Sequence, residues 1–143
     1  MTQRPSIPRA RENPLLQRAA VKAAFPQFRW RITRAGGVEW RGTLQPTPES
    51  PAYEVRIIHE PDQRPMVYID RPAISSDASH RYSDGSLCLY WPEEWSWTAR
   101  ESLAATVIPW TAYWLYYYEL WLKTGEWLGP SSPHGLGTRK EAA

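Results

Sequence analysis

Cysteine is almost missing: the 143-residue chain has one, Cys88, alongside only 3 histidines. A single thiol excludes an internal disulfide, and so few histidines argue against a closed zinc site of Cys and His. Charge of one sign is missing too. The net charge is +2 and the basic residues are scattered, so no stripe offers itself to nucleic acid. No apolar segment follows Met1, so no signal peptide is expected, and the reducing cytoplasm is the expected compartment. A Gly-rich nucleotide loop is also lacking, so no cofactor is expected. Phenylalanine is scarce, at 2, while 9 Trp and 8 Tyr supply rings with polar edges. Such rings suit a core with polar rims or a broad contact surface.

The chain has room for one domain with a real core. Polar residues 1–12, with Pro5 and Pro8, are expected to form a flexible arm, residues 13–129 the domain, and residues 130–143 a flexible tail. Asn13 followed by Pro14 is a helix-start signal, and Leu15, Leu16, Ala19, Ala20, Ala23 and Ala24 predict an apolar stripe as far as Pro26. Phe28, Trp30 and Ile32 alternate with polar residues, as do Val38, Trp40, Gly42 and Leu44 after the Gly36-Gly37 turn. Further strands are predicted at Tyr53 to Ile58 and Met66 to Ile69. Their short links leave no room for crossover helices, so the four make an antiparallel meander. Thr98 and Glu101 match a capping box for a helix carrying Leu103, Val107, Trp110, Trp114, Tyr117 and Trp121, kinked at Pro109 and ended by Gly125. Leu103 to Leu122 is long enough to cross a bilayer. Pro109, Glu119, two threonines and the tyrosines favour a helix covering the sheet instead, with no membrane contact. The fold class is therefore α+β.

Between sheet and helix lies the stretch Ser79 to Trp97, with Cys88 just past an Asp84-Gly85 turn and flanked by Leu87 and Leu89. A thiol at such a junction fits a nucleophile. It equally fits a small buried hydrophobe, the commoner role of a free cysteine. A Cys-His hydrolase would pair Cys88 with His80, His59 or His134, but Leu87-Cys88-Leu89 does not open a helix as such nucleophiles usually do. A cysteine phosphatase would need arginine where Glu94 stands, six positions after the cysteine.

The order of helix, four-strand meander, irregular loop, lone cysteine and helix resembles that of ubiquitin-conjugating enzymes. In that family a glycine precedes the catalytic cysteine by three positions, as Gly85 precedes Cys88, and a tryptophan and a helix follow, as Trp95 and the helix after Thr98 do. His80-x-Tyr-x-Asp-Gly-x-Leu-Cys-Leu-Tyr90, Ile108-Pro-Trp110 and Trp114 to Trp127 resemble a bacterial branch. Its members are stand-alone conjugating proteins found with cGAS-like nucleotidyltransferases (CD-NTases) in short type II CBASS anti-phage operons. The resemblance spans about residues 13–135. It implies a ubiquitin-conjugating-enzyme-like fold and a Cys88 thioester that accepts the C-terminal acyl group of a partner, the CD-NTase, and passes it to a lysine of an acceptor protein. The resemblance leaves open whether an activating enzyme in trans is needed. The family's asparagine, eight positions before the cysteine, is replaced by His80, which the resemblance makes oxyanion donor, base or structural residue. Tyr82, Asp84 and Tyr90 are the expected frame of the site, although Asp84 also simply suits the turn. A non-catalytic adaptor of the same fold, and the conjugating enzyme of a separate ubiquitin-like pathway, are the alternatives. The ending Glu141-Ala142-Ala143 is not that of a modifier.

Overall fold

A computed structural model describes residues 14–90, 97–98 and 101–130. The expected arm and tail, Asn13, His134, Glu94 and Trp95 lie outside the described residues. The elements are α1 (Pro14–Ala24), β1 (Arg29–Ile32), β2 (Val38–Leu44), β3 (Tyr53–His59), β4 (Met66–Arg71) and α2 (Val107–Thr124). The strands form one antiparallel sheet in the order β1-β2-β3-β4, the meander expected from the alternation. Register lines up Trp40, Ile57 and Val67 across β2, β3 and β4, and all three are buried on one face. Beside that row stands Gly42, where a Cβ would come within 2.6 Å of the Phe28 ring. Glycine there makes room for an aromatic ring, not for a turn.

The helices cover this face by routes that differ from the expected stripes. On α1 the buried residues are Gln17 and Val21, while Leu15 and Leu16 are 67% and 56% exposed. The buried Gln17 side chain donates to the Glu101 carbonyl at 2.9 Å and accepts from the Leu103 N–H at 3.1 Å. A polar bridge therefore seats α1, because the segment before α2 has backbone groups that need partners. β1 is an edge strand with no buried residue. Its Trp30 is 44% exposed under the Arg18 guanidinium, and the buried aromatic is Phe28, one residue before the strand.

The last helix begins later than the Thr98-Glu101 pair suggests. Those two residues share a backbone turn, and α2 starts at Val107 after Thr106. Pro109 then falls at the third helical position, where no intrahelical donor is needed, so it fits the first turn without a kink. Val107, Ile108, Thr111, Trp114, Leu115 and Tyr118 face the core. That stripe is rotated from the expected one and shares with it only Val107 and Trp114 on the helix. Gly125 ends the helix in the left-handed conformation, φ 78°, its N–H bonded to the Trp121 carbonyl. Glu119 accepts from Ser50 Oγ and Tyr53 Oη, each at 2.8 Å, and so ties the helix to the start of β3. Among the described residues no helix is long and apolar enough to cross a membrane.

Replacing Gln17 by leucine strands a buried N–H and a carbonyl, at about 1–3 kcal/mol for each group left without a partner. Gln27 makes a comparable but exposed bond to the Thr43 carbonyl. Urea unfolding of Gln17→Leu is expected to show a loss several times that of Gln27→Leu, and equal losses would mean that the bridge does not seat α1.

Candidate active site

Beyond β4 the chain makes a small hairpin that carries the cysteine. Arg81 and Leu87 form an antiparallel bridge, the Tyr82 N–H donates to the Ser86 carbonyl at 2.8 Å, and the Cys88 N–H donates to the His80 carbonyl at 2.8 Å. The turn is built by local chemistry. Asp84 Oδ1 accepts from the Ser86 N–H at 2.9 Å and from its hydroxyl at 2.6 Å, and Gly85 supplies φ 89°. These bonds from Ser86 hold the exposed Asp84 carboxyl below its ordinary pKa. The buried Leu87 donates its N–H to the Val67 carbonyl at 2.8 Å and so docks the hairpin on β4.

Cys88 is half-buried on this hairpin. Its thiol donates to the Tyr90 carbonyl at 3.4 Å. Tyr90 sets its ring 6.0 Å from that of Trp110 at the start of α2. The pKa values of both tyrosines are raised. Burial is the main cause, and the negative charge that Cys88 carries as thiolate adds to it. Tyr82 is pushed up to about 12, so its hydroxyl is a donor at neutral pH. The Arg64 guanidinium, from the turn before β4, lies 4.3 Å from the centre of the Tyr82 ring. Arg64 escaped the sequence reading because only the turn geometry brings it to the hairpin. Tyr68 of β4, whose pKa is raised by burial first and by the Asp84 charge second, was missed for the same reason.

His80 takes part through backbone and ring separately. It sits in the left-handed region at φ 59°, a conformation that histidine tolerates better than most residues. Its carbonyl accepts from Cys88 and also from Trp114 Nε1 at 3.1 Å. Its ring packs on Trp127, centroids 4.6 Å apart. Among the described residues the imidazole makes no hydrogen bond to the thiol, and burial lowers its pKa. His59 is buried elsewhere, edge-on to Trp97 at 5.2 Å, and lines a separate cavity of about 310 Å³ with Gln17, Trp40 and Leu103. The structure thus brings Cys88, Tyr82, Tyr90 and the His80 backbone together and leaves Asp84 at the turn. Among the described residues no cluster of His, Cys, Asp and Glu is arranged to hold a metal.

A helix, a four-strand meander, a docked cysteine hairpin and a final helix define a ubiquitin-conjugating-enzyme-like α+β protein. Residues 17–135 match the family model of the type II CBASS E2 protein, and the chain belongs to that family. It is therefore an E2-like component of bacterial antiviral defence. No curated protein matches the chain.

With its folded-state pKa below the unfolded value of about 6.5, His80 contributes stability that is complete above that pH and lost as the pH falls towards the folded-state pKa. His80→Asn keeps a residue that tolerates positive φ and removes the titration. Unfolding midpoints measured from pH 7.5 to 5.5 should fall more steeply for the unchanged protein than for His80→Asn. Parallel curves would show that burial of this imidazole does not oppose its charging.

Proposed function

We propose that Cys88 is the acyl carrier of a conjugation reaction in this defence system. The half-buried thiol on a hairpin bonded to β4 and α2, in a chain of the type II CBASS E2 family, is the observation that carries this reading. In the first step the Cys88 thiolate attacks the activated C-terminal carbonyl of a partner, for which the CD-NTase is the leading choice. An activating enzyme in trans supplies the activation, and its leaving group departs as the C–S bond forms. In the second step a lysine amine of the acceptor protein attacks the thioester carbonyl. The amide forms, the C–S bond breaks, and the thiolate is regenerated. A thioester suits this relay because it keeps acyl reactivity while leaving easily.

His80 serves the tetrahedral intermediate in this scheme: its half-buried imidazole leaves Trp127, on which it packs at 4.6 Å, to donate one hydrogen bond to the oxyanion. Tyr82 and Tyr90 frame the thiol, and Asp84 shapes the turn beneath the approaching amine. The reaction runs in the cytoplasm, with nucleic acid and membrane uninvolved. The competing reading is an adaptor of the same fold, favoured by the thiol's bond to the Tyr90 carbonyl, which a purely structural cysteine would also make.

Co-expression with a CD-NTase and mass spectrometry separate the two. Conjugates joined through the nucleotidyltransferase C-terminus should disappear in Cys88→Ala, while Cys88→Ser accumulates a slower oxyester. His80→Gly, which suits the left-handed backbone, should load normally and transfer about a hundredfold more slowly. Conjugates undiminished in Cys88→Ala would leave the adaptor.

A further inference from the structure

We propose that the outer edge of β1 is a docking strand for an acidic, extended segment of a partner protein, which adds to the sheet as a further strand. This surface lies at the edge of the sheet away from the thiol, and its role does not depend on Cys88 being the acyl carrier.

The ladder fixes which backbone groups the edge offers. β1 pairs with β2 alone, and among the described residues no strand pairs with its other side. The Thr33 N–H donates to the Gly37 carbonyl at 3.0 Å, so that pair belongs to the hydrogen-bonded set. Such pairs alternate along an antiparallel ladder, which makes Arg31 with Glu39 and Arg29 with Arg41 the next two. The N–H and C=O groups of Trp30 and Ile32 therefore point away from β2, into the unpaired edge. Their side chains are 44% and 55% exposed and share a face with Trp40 and Val38. The Arg18 guanidinium lies 3.6 Å from the Trp30 ring centre and steadies that ring. Backbone donors and acceptors thus stand beside apolar side chains at alternate positions, which is what an added strand pairs with.

Charge selects the occupant. Arg29 stands opposite Arg41, and Arg41 opposite Arg56, so a row of arginines crosses the face away from the helices. Like charges directly opposite are normally unfavourable. Arg56 is answered by Asp70 on β4, whereas Arg31 and Arg41 share the Glu39 carboxylate. Arg29 makes no ion pair among the described residues. The β1 margin therefore sets Arg29, Arg31 and Arg41 against Glu39 alone. A second copy adding its own β1 would bring arginines against arginines. The segment before Pro14 is basic as well, with Arg4, Arg9 and Arg11 against Glu12. An acidic strand is attracted where both of these are repelled. In antiparallel addition its apolar residues fall opposite Trp30 and Ile32, and its carboxylates opposite Arg29 and Arg31. Leu87 docks the cysteine hairpin on β4, about 15 Å from β1 across the sheet. A partner held on β1 leaves the thiol uncovered and raises its own effective concentration around it.

Fluorescence anisotropy with a labelled peptide of alternating glutamate and valine tests this on the intact chain. One comparison peptide carries lysine for glutamate. A second carries N-methyl groups on the valines, which removes the donors that meet β1 and keeps the charge. The glutamate peptide should bind saturably, and each comparison peptide about tenfold more weakly or worse. Ile32→Pro removes one outward N–H at an edge position where proline is tolerated. It should weaken binding about tenfold with an unchanged circular dichroism spectrum. Arg29→Gln should weaken binding several-fold, whereas Arg71→Gln, an exposed arginine of β4, should not. Equal binding of the glutamate and N-methyl peptides would overturn strand addition, as would no saturable binding at millimolar peptide. An oligothymidylate that binds the same edge more tightly at matched charge would reassign it to nucleic acid. A dimer that Ile32→Pro dissolves would reassign it to a second copy, and either result overturns the proposal. Should Ile32→Pro fail to fold, the N-methyl peptide on the unchanged protein decides alone.

Discussion

The carbonyl oxygen of His80 takes two donors, the Cys88 N–H from within its own hairpin and the Trp114 indole N–H from α2. One acceptor thereby fixes the cysteine to the helix that closes the core. Trp114 can make this bond because its ring lies buried among apolar neighbours while its N–H reaches the edge, the usual economy of a buried indole. On the other flank Leu87 pins the hairpin to the Val67 carbonyl of β4. The thiol thus hangs between sheet and helix on backbone and indole bonds. Its position is a consequence of core packing rather than of contacts made by the thiol itself.

The same helix accounts for the aromatic composition. Trp114 stacks on Tyr118 with ring centres 5.4 Å apart, touches Trp127, and through Trp127 reaches the His80 ring. Rings this large fill the space above a four-stranded sheet with few side chains. Two of their polar edges find partners at the margin: Trp114 Nε1 donates to the His80 carbonyl, and the Tyr118 hydroxyl accepts from the Ser75 N–H at 2.9 Å, at the start of the segment that leads into the hairpin. A phenylalanine-rich core would fill the same volume but leave the Ser75 N–H unmet.

The sheet was legible because strand alternation has a period of two, and one face had to be buried for Trp40, Ile57 and Val67 to leave water. The helices were legible as helices but not in rotation. α1 buries Gln17 because the partner surface is backbone rather than hydrocarbon, and an apolar stripe says nothing of that. The start of α2 was misplaced because a capping pattern is local: Thr98 and Glu101 share only a turn, and the helix starts at Val107. At the site, Cys88 and its turn were visible in a few consecutive residues, since Asp84, Gly85 and Ser86 build the turn among themselves. Arg64 and Trp127 were not visible. Each comes from a distant element, and only register or helix length sets where it lands.

Position 80 shows why a histidine need not disturb the loop. The backbone there has φ 59°, which costs most residues about 1–3 kcal/mol when forced on them. Asparagine, aspartate and histidine are the side-chain-bearing residues most often found in that region. The conformation turns the carbonyl towards both Cys88 and Trp114, so the two hydrogen bonds offset the strain and depend on it. A β-branched residue would relax the backbone and release both donors at once. The loop therefore selects on backbone tolerance first, and histidine meets that demand before its imidazole does any chemistry. The ring was then free to be taken up by Trp127, while the thiol bonds the Tyr90 carbonyl.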